Sequence, residues 1–120
     1  MAITAEGPFV LKHKGMYYLT YSGCDYRSPN YAVGYAISDS PTGPFVKYAG
    51  NPILKGNGAI QGTGHHSFTT SKDGKTLIIA YHCHNSEGVP DPRLVCIDEA
   101  EVVPSDGGED ILVVHGPTCK

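Results

Sequence analysis

The strongest constraint on the fold of this chain is a pattern of strands and turns that occurs twice. Runs rich in aromatic and β-branched residues, separated by Gly, Asn, Asp and Pro, predict antiparallel strands joined by tight turns. These strands are predicted at residues 8–13, 16–22, 31–38 and 45–48 in the first unit and at 67–71, 76–82, 93–98 and 111–115 in the second. With 15 glycines, nine prolines and eight tyrosines, and no long helix-forming run, the chain is predicted to be all-β.

Matching residues of the two units are separated by an almost constant number of positions. Phe9 and Phe68 are 59 residues apart, as are Gly15 and Gly74, and the offset is 60 for Tyr21 and Tyr81 and 62 for Val33 and Val95. A repeated four-stranded antiparallel unit is typical of β-propeller blades. We expect one partial propeller domain over residues 1–120, with blades at about 6–48 and 65–115 and a connection at 49–64. A β-sandwich of eight short strands is the alternative.

Two blades are too few to close a propeller, which takes about four to eight. A lone pair of blades leaves apolar faces and strand edges exposed. The chain is therefore expected either to be part of a longer protein or to assemble with further copies of itself. Of these, we expect a homo-oligomer.

Charge and hydropathy exclude two classes of partner. The net charge is −3 and the basic residues are scattered, which argues against nucleic acid or an anionic membrane surface. No apolar run approaches the roughly 18 residues that span a bilayer. The first five residues lack the features of a signal peptide. A cytoplasmic location and a removed leader both remain open.

The four cysteines have no CxxC spacing, so a zinc or redox motif is not predicted. Cys83 and Cys96 flank a predicted hairpin loop. In a simple register Cys83 faces Arg93, so the two cysteines are not expected to form a disulfide with each other. Free thiols are expected at all four positions, which include Cys24 and Cys119.

Two ionisable residues lie at the start of the two units. The offset of 59 places Glu6 opposite His65, just before the first strand of each unit. The first strand of a propeller blade lines the central channel, so both side chains are expected to point towards one axial site. In the alternative, Glu6 is a solvated acid and His65 is a hydrogen-bonded loop residue.

Several ordered motifs resemble glycoside hydrolase family 43. Residues 6–22 look like its EGP-x(3)-K-x(2)-G-x-YYL-x-YS stretch, and residues 31–45 look like its next strand and SP-x-GPF turn. Similar matches occur at residues 51–54, 62–67 and 81–82. The resemblance extends from Glu6 to about Asp98, and it corresponds to the C-terminal half of the family's domain.

The resemblance implies a five-bladed propeller that cleaves arabinose- or xylose-containing glycans with inversion. Such chemistry needs a carboxylic acid that protonates the leaving oxygen and a carboxylate base that activates water. Glu6 matches the family's general acid. An acid of this kind needs burial or neighbouring negative charge to raise its pKa.

His65 matches a family histidine on the propeller axis that contacts a metal, commonly calcium. The resemblance therefore implies that His65 lies at the substrate site and binds calcium, partly through water. His66 matches a variable position and receives no role. His82 is expected to pack or hydrogen-bond within its strand. Arg93 is a candidate substrate ligand, with a solvated charge as the alternative.

The family's base and a second, pKa-tuning aspartate precede the EGP motif, and neither has a counterpart here. Asp25, in a loop beside Tyr26 and Arg27, is the best candidate base within the chain. Two Glu6 side chains that meet at a shared axis are another arrangement.

Three functions follow from these observations. The first is an arabinofuranosidase or xylosidase that acts on oligosaccharides or aryl glycosides after assembly. The second is a carbohydrate-binding remnant, and the third is an inactive piece of a longer hydrolase.

Overall fold

A computed structural model describes residues 5–118 of the chain, and these residues form strands, turns and loops without a helix. The first sheet contains β1 (Ala5–His13), β2 (Met16–Gly23), β3 (Ala32–Ser38) and β4 (Val46–Lys47). The second contains β5 (Gly64–Thr70), β6 (Leu77–Cys83), β7 (Leu94–Val103) and β8 (Ile111–His115). Each of the eight predicted strands forms. Within the described residues there is no helix that could cross a membrane.

Both sheets have the same up-and-down topology. Their strand orders are β1-β2-β3-β4 and β5-β6-β7-β8, and all neighbouring strands are antiparallel. The first strand of the second sheet, β5, contacts β1, β2 and β3 of the first. The sheets therefore pack in sequence, with the inner strand of one against the face of the other.

The hydrophobic core lies between the sheets. Alternation along each strand directs every second side chain into this layer. The Phe9 and Phe68 rings meet across it with centroids 5.6 Å apart. The buried members of the core include Tyr18, Val33, Tyr35, Leu54, Phe68, Ile79, Tyr81 and Leu112.

The strand register corrects the repeat offset inferred from sequence. Glu6 pairs with Ser22 and Gly64 pairs with His82. The offset is therefore 58 on the first strand and 60 on the second. The change arises at the turns: two residues separate His13 from its partner Met16, whereas four, residues 72–75, separate the hydrogen-bonded Ser71 and Thr76. The equivalent of Glu6 is Gly64, and the predicted equivalence with His65 is wrong by one residue.

The cysteine predictions are confirmed in part. Cys83 pairs with Leu94, and its Sγ lies 3.4 Å from Cys96 Sγ, too far for a bond between the two. Cys96 is disulfide-bonded, so the expectation of a free thiol is wrong for that residue. Cys24 is free. Cys119 lies outside the described residues.

Candidate functional site

A β-bulge interrupts the first strand of each sheet at the same place. The register shifts between Glu6 and Phe9 in β1 and between Gly64 and Ser67 in β5. The backbone has a positive φ at Gly7 (59°) and at His65 (51°). A bulge of this kind turns nearby side chains away from the regular alternation of a strand. Both bulges thereby shape the same end of the two sheets.

Equivalent positions at this end form two rows. The first row, from the inner strand outwards, is Glu6, Ser22 and Tyr31, and the second is Gly64, His82 and Arg93. Ser22 pairs with Val33, two residues after Tyr31, and His82 pairs with Val95, two residues after Arg93. The offsets within the pairs are therefore 58, 60 and 62.

Glu6 and His65 meet at the centre of this end, although they are not equivalent in the repeat. Glu6 Oε2 lies 3.7 Å from His65 Nδ1, and the two side chains are 38% and 58% exposed. The His65 backbone N–H donates to the buried Ser22 Oγ at 2.7 Å. The structure thus brings together the two residues singled out from sequence and leaves both accessible to a ligand.

Tyr31 is the main site residue that the sequence reasoning missed. Its hydroxyl donates to Glu6 Oε2 at 2.6 Å, and its side chain is fully buried. Burial and the hydrogen bond to Glu6 raise the pKa of Tyr31 well above its usual value. The phenol therefore stays protonated and remains a donor to the carboxyl group.

His82 also belongs to the site, beyond its expected role within β6. Its ring stacks on Tyr31, with centroids 5.9 Å apart, and on His65, with centroids 6.0 Å apart. Burial, together with nearby Arg93 and His65, lowers the pKa of His82. A neutral ring can accept from Arg93 Nη1, which lies 3.2 Å from His82 Nε2.

Arg93 lies at the outer end of the second row. Its guanidinium lies 4.4 Å from the centroid of the Tyr26 ring, and its Nε is 3.3 Å from Asp91 Oδ1. Contacts with an aromatic face, a carboxylate and His82 hold the planar group in one orientation. Arg93 is thus connected to the Glu6–His65 centre through His82, which stacks on His65, and its role as a substrate ligand remains a prediction.

Asp25 is held by its own loop. Its carboxylate accepts from Arg27 Nη2 at 2.6 Å and from Arg27 Nε at 2.9 Å. These hydrogen bonds keep the pKa of Asp25 well below its usual range. A carboxylate of such low basicity is a weak proton acceptor. The geometry therefore argues against Asp25 as the base, and its role stays a prediction.

His66 lies inside the core rather than in the site. Its Nε2 is 2.5 Å from Thr20 Oγ1, and the Thr20 hydroxyl donates to the Phe9 carbonyl at 2.7 Å. Because that hydroxyl has one proton, His66 must donate through Nε2–H. Burial, with a smaller effect of nearby His65, lowers the pKa of His66 to about 4.

The described residues do not fit a calcium ion by themselves. Calcium takes about six to eight oxygen ligands. Residues 5–118 contain no group of three or more His, Cys, Asp or Glu side chains that could hold a metal ion. At His65, Glu6 supplies the neighbouring carboxylate oxygen. No catalytic step is therefore assigned to calcium, and His65 remains a predicted ligand.

The arrangement has the parts of a proton donor site. A half-exposed carboxyl group is fixed by a buried phenol and flanked by a histidine, with a guanidinium nearby. Residues 1–107 match the sequence profile of glycosyl hydrolases family 43. This chain belongs to that family.

Relatives and solved structures support this assignment. The chain is 41% identical over 95 residues to the beta-D-galactofuranosidase xynD of Aspergillus niger. The aligned region covers 78% of this chain and 27% of that protein. It is 36% identical over 91 residues to an extracellular exo-alpha-(1->5)-L-arabinofuranosidase of Streptomyces avermitilis. That aligned region covers 70% of this chain and 18% of the relative. The chain thus spans about a quarter or less of these relatives.

Two crystal structures share the fold. A thermostable family-43 glycoside hydrolase superposes with a TM-score of 0.85 at 47% identity, over 97% of this chain and 36% of the other. An endo-1,4-beta-xylanase from Bacteroides thetaiotaomicron gives 0.84 at 41% identity, over 95% and 38%. The all-β prediction of two blades from a partial propeller is confirmed.

Proposed function

We propose that the protein hydrolyses arabinofuranosyl- or xylosyl-containing glycans with inversion, and that Glu6 is the general acid. The observation that carries this proposal is the accessible Glu6 carboxyl group, held by Tyr31 and flanked by His65 at the bulged end of the sheets. Membership of the family and the names of its relatives support the reaction type.

In this mechanism Glu6 gives its proton to the glycosidic oxygen as the bond from that oxygen to the sugar carbon breaks. The bonding electron pair goes to the leaving oxygen. A water molecule attacks the same carbon from the opposite face and loses its proton to a carboxylate base, which inverting enzymes hold roughly 6.5–9.5 Å from the acid. The base comes from a second copy, from residues outside 5–118, or from Asp25. Asp25→Asn tests the last option.

Arg93 and His65 are proposed as ligands of the sugar hydroxyl groups, and His65 as a ligand of calcium together with water. Homo-oligomerisation is proposed as the way in which the sheets are covered. Apolar side chains on both sheets support it, since Val10 is 49% exposed and Ile97 is 65% exposed. Light scattering on the purified chain tests the assembly, and a stable monomer would contradict it.

The test of the proposed activity is hydrolysis of 4-nitrophenyl α-L-arabinofuranoside and β-D-xylopyranoside, and of arabinobiose and xylobiose, by the chain and by Glu6→Gln. Loss of a general acid costs roughly 10²–10⁴-fold in rate, and that loss is expected on the disaccharides, whose leaving group needs protonation. Glu99→Gln, at an exposed position of β7, is the matched control and should retain activity. Equal activity of Glu6→Gln and wild type would contradict the proposal. Sugar binding without hydrolysis would indicate a binding remnant. The absence of both binding and hydrolysis would indicate an inactive piece of a hydrolase.

A further inference from the structure

Tyr31 is fixed from several sides before it contacts Glu6. Its backbone N–H donates to Ser28 O at 3.1 Å, and its carbonyl accepts from Thr63 Oγ1 at 3.4 Å. Its ring stacks on His82 with an interplanar angle of 13°. A Cβ atom on Gly64 would overlap the same ring. The phenol thus occupies one position, and the second sheet supplies two of the surfaces that define it.

The contact between Tyr31 and Glu6 selects one carboxylate oxygen. The Tyr31 hydroxyl donates to Oε2 at 2.6 Å, and His65 Nδ1 lies 3.7 Å from that same atom. Oε1 has no hydrogen bond to the described residues. The carbonyl oxygen of a carboxylic acid is a better acceptor than its hydroxyl oxygen, so the phenol contact on Oε2 favours Oε1 as the oxygen that carries the proton of a neutral Glu6.

We propose that Tyr31 positions Glu6 for proton transfer, and that Gly64 is a glycine because the Tyr31 ring occupies the space of its side chain. The inference rests on the proposed role of Glu6 as the acid. Tyr31 holds Oε2 as an acceptor and thereby directs Oε1–H towards the glycosidic oxygen. Gly64, the position equivalent to Glu6, acts in the site through the Tyr31 ring.

Tyr31→Phe tests the role of the hydroxyl, because it keeps the ring. A misplaced acid matters most when the leaving group is a sugar alcohol and least when it is nitrophenolate, which leaves without much protonation. We expect kcat for a disaccharide substrate to fall roughly 10–100-fold, with kcat for the matching 4-nitrophenyl glycoside changed about twofold and KM unchanged in both. An equal loss on both substrates would overturn the proposal.

Tyr18→Phe is the matched control. Tyr18 is also buried, and its hydroxyl donates to the Asp110 carbonyl at 2.6 Å, away from Glu6. Both variants lose one buried hydrogen bond. A general loss of stability should therefore affect them similarly, whereas only Tyr31→Phe should change the dependence on the leaving group.

Gly64→Ala tests the packing without removing the hydroxyl. The added methyl group must displace the Tyr31 ring, so the same dependence on the leaving group is expected. Gly108→Ala is the control, because a Cβ there meets only Ser105 Oγ at 3.8 Å. Wild-type kinetics in Gly64→Ala would overturn the proposed function of the glycine.

A spectroscopic measurement separates this inference from the proposed activity. In the chain labelled with tyrosine carrying ¹³C at Cζ, the Tyr31 resonance at one fixed pH should differ between wild type and Glu6→Gln, because the partner of the phenol changes. It should shift in the same sense in Gly64→Ala. If wild type is inactive on every glycoside, the activity proposal fails while this experiment still decides the contact. A Tyr31 resonance that is insensitive to Glu6→Gln would overturn the inference.

Discussion

The first and second sheets have the same strand order and a bulge at the same place, yet their equivalent positions differ in charge and size. The first sheet presents Glu6 and Tyr31 where the second presents Gly64 and Arg93. The carboxyl group of the site therefore comes from the first sheet. The second sheet supplies the guanidinium of Arg93 and, at Gly64, the space that the Tyr31 ring occupies. Duplicated strands provide a common frame, and the chemistry depends on where the two copies differ.

The largest expected effect concerns a buried acid that is present in the second sheet alone. Asp98 pairs with Ile79, and the equivalent position in the first sheet is Ala36, which pairs with Leu19. Asp98 accepts hydrogen bonds from the Tyr81 hydroxyl and from the backbone and hydroxyl of Thr118. Asp98→Ala places the same residue at this position of both sheets and leaves the buried Tyr81 hydroxyl without its acceptor. We expect a loss of about 3 kcal/mol in the free energy of unfolding, measured with urea.

Glu99→Ala is the control for Asp98→Ala, since Glu99 is exposed on the same strand. A surface substitution of this kind should change the free energy of unfolding by no more than about 0.5 kcal/mol. If the two variants unfold at the same urea concentration, the hydrogen bonds of Asp98 do not distinguish the second sheet energetically.

An effect of similar size, seen only as the pH falls, sharpens the contrast at the next position of the bulge, where the first sheet has Pro8 and the second has His66. The folded pKa of His66, about 4, lies below the ordinary value of 6.5. The unfolded chain therefore binds more protons in this window, and stability falls as the pH decreases from about 6.5 to 4. The expected loss is on the order of 3 kcal/mol.

His66→Gln isolates this contribution, because its amide N–H can still donate to Thr20 Oγ1 and does not titrate. Urea unfolding of wild type and variant at several pH values measures the difference between them. The difference should depend on pH between about 6.5 and 4 and become constant below that range. Parallel curves would show that His66 is not responsible for the pH dependence.

The smallest expected effect concerns Arg93, which occupies the second-sheet position equivalent to Tyr31. Arg93→Lys keeps the charge and loses the planar contacts with His82 and Tyr26. If Arg93 binds substrate, KM should rise about tenfold with little change in kcat, as measured by steady-state kinetics. Arg27→Lys is the control, because Arg27 also lies near Tyr26. A fall in kcat at constant KM would indicate that Arg93 takes part in the chemical step.

The strands were predictable because their determinants are local. Alternating aromatic and β-branched residues and Gly-containing turns define them, and all eight form near the predicted positions. Register was harder to predict, because it depends on how many residues each turn contains. The longer turn at residues 72–75 changes the offset from 58 to 60, and an average offset of 59 therefore aligned Glu6 with the neighbour of its true equivalent.

The candidate site was predicted only in part for a related reason. Glu6 and His65 were identified because each begins a repeated unit, and they do meet. The contact between Glu6 and Tyr31 joins residues 25 positions apart, with Glu6 on β1 and Tyr31 just before β3, a strand that is not adjacent to β1. The signal that was missed is that Tyr31 and Arg93 occupy equivalent positions of the two units, as do Ser22 and His82. A strand-by-strand offset would have placed all of them at one end.

The most direct test of the account is a double-mutant cycle between Glu6 and Gly64, the equivalent positions of the two sheets. The quantity measured is kcat/KM for a disaccharide, whose leaving group depends on protonation by the acid, with enough enzyme to detect the residual activity of Glu6→Gln. If the second sheet acts through Glu6, Gly64→Ala should lower kcat/KM in wild type and have no further effect in Glu6→Gln. Losses that multiply in the double variant would contradict the account, because Gly64 would then support catalysis independently of the acid.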